Sequence, residues 1–326
     1  MKLQILVPQY NETNEIIKPL LDSIMVQQNV DLMNEVGVII VNDGSDIHLT
    51  DDFVKSYPFK IEYYLEEHKG VSATRNSCLD KATADYVMFC DADDMFYNAC
   101  GLYIIFREIE MDGFDSLVSA FVEETRAFQT GQPIYINHDM DSTFVHGKVH
   151  RRQFLIDNNI RWNDSLTIHE DSYFNCLCQK LAKELKYSQT SFYLWRWRDS
   201  SVCRHDPKYI LKTYNNMLDS NTALIDEFIK RGKTQEAQFF VVNMIYDAYF
   251  TMNKDEWLNC ENKEYRYATE KRFKEYWIKY KHLHDGIPND VKTQIIMGIR
   301  NRMYSEGVML ESLTFAEWIK QVEAII

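Results

Sequence analysis

Proline and glycine are scarce, 6 and 11 in 326 residues. That excludes collagen-like and low-complexity chains and, with 45% hydrophobic and 13% aromatic residues, points to a compact, helix-rich globular protein. No apolar run approaches the ~20 residues needed to span a bilayer. The opening MKLQILVPQYNE reaches a polar turn too early for a secretory leader. The seven cysteines (Cys78, Cys90, Cys100, Cys176, Cys178, Cys203 and Cys260) are odd in number and show no C-x-x-C spacing, so reduced thiols and a cytoplasmic location are expected. Basic charge is also short, with 36 Lys and Arg against 49 Asp and Glu and a net charge of −13. General nucleic-acid binding, which needs cations to displace counterions, is therefore not expected, and an anionic ligand has to be neutralised locally.

The length suggests about two domains. Leu3–Val7, Val36–Val41, Ile61–Leu65 and Tyr86–Cys90 read as buried strands bounded by polar turns. Between them the apolar residues Ile16, Ile17, Leu20, Leu21, Ile24 and Met25 recur at helical spacing, with Pro19 limiting how early regular hydrogen bonding begins. A second helix follows Gly70, and a third runs from about Asn98 to Met111 and stops at Gly113. Alternating strands and helices predict an α/β fold: a Rossmann-like, mostly parallel sheet flanked by helices, with ligands beyond the carboxyl ends of the strands. Residues 115–200 are mixed, with strands at Ser116–Val122 and Phe192–Trp197 and helices at Arg152–Asn158 and Asp171–Ala182. After Arg204 the pattern becomes all-α: Asp206-Pro207 reads as a helix start, and Thr314-x-x-Glu317 as a capping box for the last helix. We therefore expect domains at 1–205 and 206–326, the second serving substrate binding, homo-oligomer formation, or both. Its aromatics, Tyr246, Tyr249, Phe250, Trp257, Tyr265, Tyr267, Phe273, Tyr276 and Trp277, are expected mainly in a core.

The polar residues that carry chemistry gather at strand ends. Asp91-Ala92-Asp93 alone is uninformative, because a second D-x-D stands at Asp139-Met140-Asp141. Its position is informative: a buried strand delivers Asp91, Asp93 and Asp94 where the chain leaves the sheet. Clustered carboxylates call for a cation, and oxygen ligands suit Mg²⁺ or Mn²⁺ shared with a phosphate. Asp43-Gly44-Ser45 is an ordinary turn in isolation, but with Tyr10 on the next strand end it pairs an acceptor carboxylate with a stacking face, which suits a nucleobase. Lys69 and Arg75 flank a strand-to-helix turn, a natural place for a diphosphate. Asp171 opens an amphipathic helix, where a dipole-stabilised carboxylate and a catalytic one read alike. Residues 195–205 place Arg196, Arg198, Arg204 and His205 together in an otherwise acidic chain, as a phosphate clamp requires. His146 and His150 lie four apart, but Gly147 weakens a helix between them and no H-E-x-x-H occurs, so a zinc site is not expected. His205 is retained as a further metal or phosphate contact.

Taken in order, seven segments resemble the family 2 glycosyltransferases of GT-A fold, which use nucleotide-diphosphate sugars. They are Val7-Pro8-x-Tyr10-Asn11, Val41-Asn42-Asp43-Gly44-Ser45, Lys69-Gly70-Val71-Ser72-Ala73-x-Arg75-Asn76, Asp91-Ala92-Asp93-Asp94, Gly147-Lys148-Val149-His150-Arg151-Arg152, Glu170-Asp171 with Phe174, and Arg198-x-x-Ser201. Each is weak alone; their order and spacing over residues 1 to about 205 are specific. The resemblance implies that Pro8, Tyr10 and Asp43 line a nucleobase pocket, usually for uracil, with Asn11 and Glu12 beside it. It implies that Arg75 contacts donor phosphate or sugar, Asp91 ribose or sugar, and Asp93 the metal, while His68, Lys69 and Ala92 complete the donor side. Arg198 and Ser201 fall where such enzymes hold the diphosphate, and His205 joins Asp93 as a metal candidate. Asp171 corresponds to the general base, supported on the acceptor side by Glu170. Two departures stand out: His68 where the family commonly has Asn, and Phe144–His150 in place of a more frequent Asn-Lys-Leu-Tyr pattern.

The implied reaction is inverting, metal-dependent transfer from a UDP-sugar to a hydroxyl of a glycan, polymer, protein or modified base, with Mn²⁺ or Mg²⁺ as cofactor and hexosyltransferase-type chemistry. Two rivals are a sugar nucleotidyltransferase, disfavoured because Pro8-Gln9-Tyr10-Asn11-Glu12 replaces a glycine-rich phosphate loop, and an inactive sugar-nucleotide-binding module, disfavoured by the retention of Asp93, Asp171 and Arg198. A polyanionic acceptor would require Lys148, Arg151 and Arg152 to form a basic groove.

Overall fold

The structure, a computed structural model, describes residues 1–127, 129–139, 141, 143–199, 213–305 and 314–325. The chain divides into two compact units, Met1–Val202 and Cys203–Ile326.

The first unit is built on one mixed sheet. Strands β1 (Leu3–Gln9), β2 (Val36–Asp43), β3 (Lys60–Glu66) and β4 (Tyr86–Phe89) are parallel in the order β3-β2-β1-β4. All eight residues of β2 and all four of β4 are buried. That explains their nearly unbroken apolar runs, since a parallel strand covered by helices on both faces has no solvent side. The helices between them are α1 (Asn14–Met25), α2 (Leu32–Glu35), α3 (Asp51–Lys55) and α4 (Val71–Lys81). Helix α1 buries Ile17, Leu20, Leu21 and Ile24, and it begins at Asn14, ahead of Pro19, which lies inside it. Beyond β4 the sheet continues through β5 (Met95–Phe96), β6 (Ser116–Arg126), β7 (Pro133–His138), β8 (Lys148–Arg151) and β9 (Leu185–Trp195), with β8 antiparallel to both β4 and β6. Helices α5 (Gly101–Met111), α6 (Arg152–Asp157) and α7 (Glu170–Leu181) complete the unit. This is the α/β architecture expected, with an antiparallel extension in which β8 lies between β4 and β6 and runs directly into α6.

The second unit contains α8 (Tyr214–Lys230), α9 (Thr234–Met252), α10 (Asp255–Leu258), α11 (Lys263–Asp285), α12 (Asn289–Ser305) and α13 (Phe315–Ala324), and no strand among its described residues. Seven of the nine tail aromatics, Tyr246, Tyr249, Phe250, Trp257, Phe273, Tyr276 and Trp277, are buried, as a core reading requires, whereas Tyr267 is 50% exposed. The expected capping box at Thr314 and Glu317 is present. The helix start expected at Asp206-Pro207 lies outside the described residues. No described helix is long and apolar enough to cross a membrane.

Candidate active site

The carboxyl ends of β1, β2 and β4 open into a cleft of about 260 Å³ whose walls include Pro8, Tyr10, Asp43, His68, Asp91 and Asp93. At one end the Tyr10 and His68 rings stack, with centroids 4.7 Å apart and planes at 28°. His68 is fixed from below, its Nδ1 lying 3.0 Å from the Asp43 main-chain carbonyl and 3.0 Å from Oδ2. Asp43 is buried, and its carboxylate accepts from the main-chain N–H groups of Lys69 at 2.8 Å and Gly70 at 3.0 Å. A strand-end carboxylate therefore pins the turn that starts α4. Gly44 is essential to this approach: φ is +70°, and a Cβ there would lie 2.4 Å from the His68 nitrogen. Asn42 locks the rest of the turn by accepting from Ser45 N–H at 2.8 Å and donating to the Ile47 carbonyl at 2.9 Å.

Arg75 is the hub of the opposite wall. Only 4% of its side chain is exposed, yet Nη1 donates to Glu170 at 3.0 Å and Asp171 at 2.8 Å, while Nη2 donates to Asp91 at 2.9 Å. The guanidinium lies 4.4 Å from the Trp162 ring centroid, and Trp162 stacks on Phe174 with centroids 4.2 Å apart. Burial works against the charge, but the carboxylates of Asp171, Asp91 and Glu170 outweigh it and hold Arg75 protonated. Arg75, expected to meet donor phosphate or sugar, is thus engaged by carboxylates from two different sequence regions.

Asp171 lies in the first turn of α7, two residues after His169, whose φ of 63° places a non-glycine residue in the left-handed region. Its Oδ1 accepts from Arg75 and its Oδ2 from the Val145 main-chain N–H at 3.1 Å. Burial pushes its pKa up to about 7; Arg75 opposes that shift, and Glu170 and Asp91 reinforce it. A carboxylate poised near neutral pH is suited to general base chemistry.

The turn after β4 is organised by Tyr193, whose hydroxyl donates to Asp94 at 2.5 Å and accepts from the Asp91 N–H at 3.2 Å. Asp94 is fully buried and also accepts from the Arg196 N–H at 2.9 Å. Its pKa is raised, by burial first and then by Asp93 and Asp91. Asp93 faces the cleft instead, and its Oδ2 accepts from Arg198 Nη1 at 2.9 Å, with Glu12 3.7 Å from the same nitrogen. Asp91, Asp94 and His146 also offer ligand atoms within 4.8 Å of one another. Of the carboxylates at this turn, Asp91 and Asp93 line the cleft, whereas Asp94 is committed to Tyr193 and Arg196. The cleft-facing pair is a hard oxygen donor set that fits Mg²⁺ or Mn²⁺, and Asp93 already holds one cationic group, the Arg198 guanidinium.

The structure thus brings together Pro8, Tyr10, Glu12, Asp43, His68, Asp91, Ala92 and Asp93 around one cleft, with Arg75, Glu170 and Asp171 linked to Asp91. Asn11 adopts a left-handed backbone with φ 68° at the rim, and the Lys69 side chain is exposed. Ser201 and His205 lie outside the described residues. The basic groove of Lys148, Arg151 and Arg152 does not form: Lys148 is 2% exposed, Arg151 pairs with Asp115 at 2.5 Å, and Arg152 Nε donates to the Ala84 carbonyl at 3.0 Å. Lys148 turns its charge inward, and Asp115 offsets that of Arg151 at the surface. Sequence reasoning missed Tyr193, Trp162 and the Val145 amide. Tyr193 sits in a predicted strand that gave no sign of facing Asp94, and a main-chain donor leaves no mark on residue type.

The profile of glycosyl transferase family 2 matches residues 4–173, just over half of the chain. Among curated proteins, glycosyltransferase GlyA of Streptococcus pneumoniae is 27% identical over 228 residues, covering 62% of this chain and 32% of GlyA. The uncharacterized glycosyltransferase EpsJ of Bacillus subtilis is 22% identical over 221 residues, covering 61% of this chain and 62% of that protein. The chain therefore spans about a third of GlyA and less than two thirds of EpsJ. Among solved structures, S. aureus TarS 1-349 superposes with a TM-score of 0.64 at 18% identity, covering 95% of this chain and 93% of TarS 1-349, and so shares its fold. With the family profile spanning the Tyr10–Asp43 cleft, Arg75, the Asp91–Asp94 turn and Asp171, the chain belongs to glycosyl transferase family 2.

Proposed function

We propose that the chain is an inverting, metal-dependent glycosyltransferase that moves a sugar from a UDP-sugar to an acceptor hydroxyl. The observation that carries this reading is Asp171: a carboxylate with a pKa near 7, held on both oxygens and linked through Arg75 to Asp91 at the donor cleft. The Tyr10 and His68 rings offer a stacking face for a flat base beside the Asp43 carboxylate. A crystal structure of S. aureus TarS 1-349 in complex with UDP-GlcNAc supports the choice of nucleotide through a shared fold.

In the proposed reaction Asp171 accepts the proton of the acceptor hydroxyl as its oxygen forms a bond to the anomeric carbon. The bond from that carbon to the diphosphate oxygen breaks in the same displacement, so the configuration inverts and UDP leaves. Arg198 balances the growing charge on the leaving group, and the positive end of the α4 dipole, at the cleft-lining Gly70 and Val71, adds to it. Glu170 shares the Arg75 guanidinium and lies on the acceptor side of the base. A divalent ion, held by Asp93 with Asp91, supplies Lewis-acid neutralisation of the diphosphate when bound. Residues 1–205 carry this chemistry, and residues 206–326 serve acceptor recognition, self-association, or both. The reaction belongs in the cytoplasm, where the described cysteines, all free, persist as thiols.

The test is a panel of UDP, GDP and ADP and their sugars with Mn²⁺ or Mg²⁺, followed by thermal shift and nucleotide release. UDP with metal is expected to stabilise the protein while GDP and ADP do not, and a UDP-sugar is expected to release UDP. No response to any nucleotide refutes the reading.

A further inference from the structure

Asp171 receives its second hydrogen bond from a loop rather than a side chain, because Val145 lies between β7 and β8. That loop is held by buried polar groups. Asn175, 1% exposed, donates from Nδ2 to the carbonyls of Thr143 at 2.8 Å and Phe144 at 2.9 Å. Lys148, 2% exposed, donates from Nζ to the Phe144 carbonyl and at 3.5 Å to the His146 carbonyl. Asp141 accepts from the N–H groups of Thr143 at 2.6 Å and Phe144 at 3.1 Å. Asn175 stands one helical turn beyond Asp171 on α7, so the carboxylate and the clamp on its loop share one rigid element. The loop closes a ring from Asp171 through Val145 and Phe144 to Asn175 and back along α7.

Lys148 is the unexpected member of this ring. A buried ammonium is costly, and its hydrogen bonds among the described residues go to main-chain carbonyls rather than to a carboxylate. An apolar residue of similar shape would serve packing at lower cost, so the amine is kept for what it holds.

We propose that Lys148, with Asn175, is a positioning residue for Asp171: together they fix the 143–147 loop so that the Val145 amide holds Oδ2 while Arg75 holds Oδ1. This rests on Asp171 being the general base. With both oxygens held, the carboxylate keeps one orientation toward the acceptor hydroxyl, and releasing the loop lets it turn. A displacement of about 1 Å at a reacting group costs up to about 10²-fold in rate.

The test compares wild type with Lys148→Met and Asn175→Ser, reading UDP release from whichever of UDP-GlcNAc, UDP-glucose and UDP-galactose the wild type turns over, together with amide exchange at Val145. Lys148→Met is expected to lower kcat about 10- to 100-fold, leave the donor KM within about twofold and speed Val145 exchange, with no fall in melting temperature. Asn175→Ser moves the same readouts in the same direction and carries the test if Lys148→Met fails to fold. A wild-type kcat in the variants, or a lost kcat with Val145 still protected, overturns the proposal. Asp171→Asn runs alongside: if it stays fully active, the base assignment itself is wrong, whereas if it is inactive and Lys148→Met is normal, only this inference fails.

Discussion

Replacing Arg75 by Met tests whether the guanidinium holds the acidic wall together. Met keeps much of the apolar stem against Trp162 but leaves Asp91, Glu170 and Asp171 facing one another without a counter-charge. Their side chains are 31%, 13% and 20% exposed, so solvent offers little relief. Removing one partner of a buried ion pair costs about 3–5 kcal/mol. For a unit of about 200 residues each kcal/mol lowers the melting temperature by about 2–4 °C, so a fall of roughly 6–20 °C is expected at pH 8. At pH 5 the fall relative to wild type should shrink, because the stranded carboxylates take up protons and their repulsion disappears. Thermal melts of both proteins at the two pH values measure this. A melting temperature within about 2 °C of wild type at pH 8, or a fall no smaller at pH 5, refutes the idea that Arg75 neutralises this cluster.

Four further outcomes rest on the same geometry. Because burial raises the Asp171 pKa to about 7 and a base must be ionised to act, kcat should climb as pH rises through about 7 and level off above it; a flat profile from pH 6 to 8 removes Asp171 as the base. The same shift has the opposite sign for stability: the native carboxyl binds its proton more tightly than the unfolded one, so this contribution is full below about pH 4 and is lost as pH rises through about 7. Tyr10→Ala should raise the donor KM by about tenfold, in line with ~1–3 kcal/mol for one stacked base, with kcat little changed, which initial-rate kinetics will show. Gly44→Ala should weaken UDP binding, measured by calorimetry, because its Cβ would meet the His68 nitrogen at 2.4 Å and shift the turn carrying Asp43 and His68; unchanged affinity means that turn does not bind the base.

Much of this site is legible in the sequence because parallel strands leave a simple record. Continuous apolar runs such as Val36–Val41 mark strands buried on both faces, and the polar residues that end them converge at one edge whatever the loops do. Hence Tyr10, Asp43, Asp91 and Asp93, far apart in the chain, line one cleft. The antiparallel extension was harder to read: β5 is two residues long and β8 four, too short for a period to show. Charge was equally ambiguous. Arg75 and Lys148 look like surface cations in one dimension, yet Arg75 reaches carboxylates 95 and 96 residues away and Lys148 turns inward onto main-chain carbonyls. Such partners depend on the folded topology of β8 and α7, which residue type alone does not encode.

Deprotonation of the acceptor by Asp171 during transfer from a UDP-sugar is tested by UDP release from wild type and Asp171→Asn under saturating donor, with UDP affinity measured on both. The variant is expected to bind UDP as the wild type does while turnover falls by about 10²–10⁴-fold, the usual contribution of a positioned base. Turnover by Asp171→Asn at the wild-type rate would contradict it.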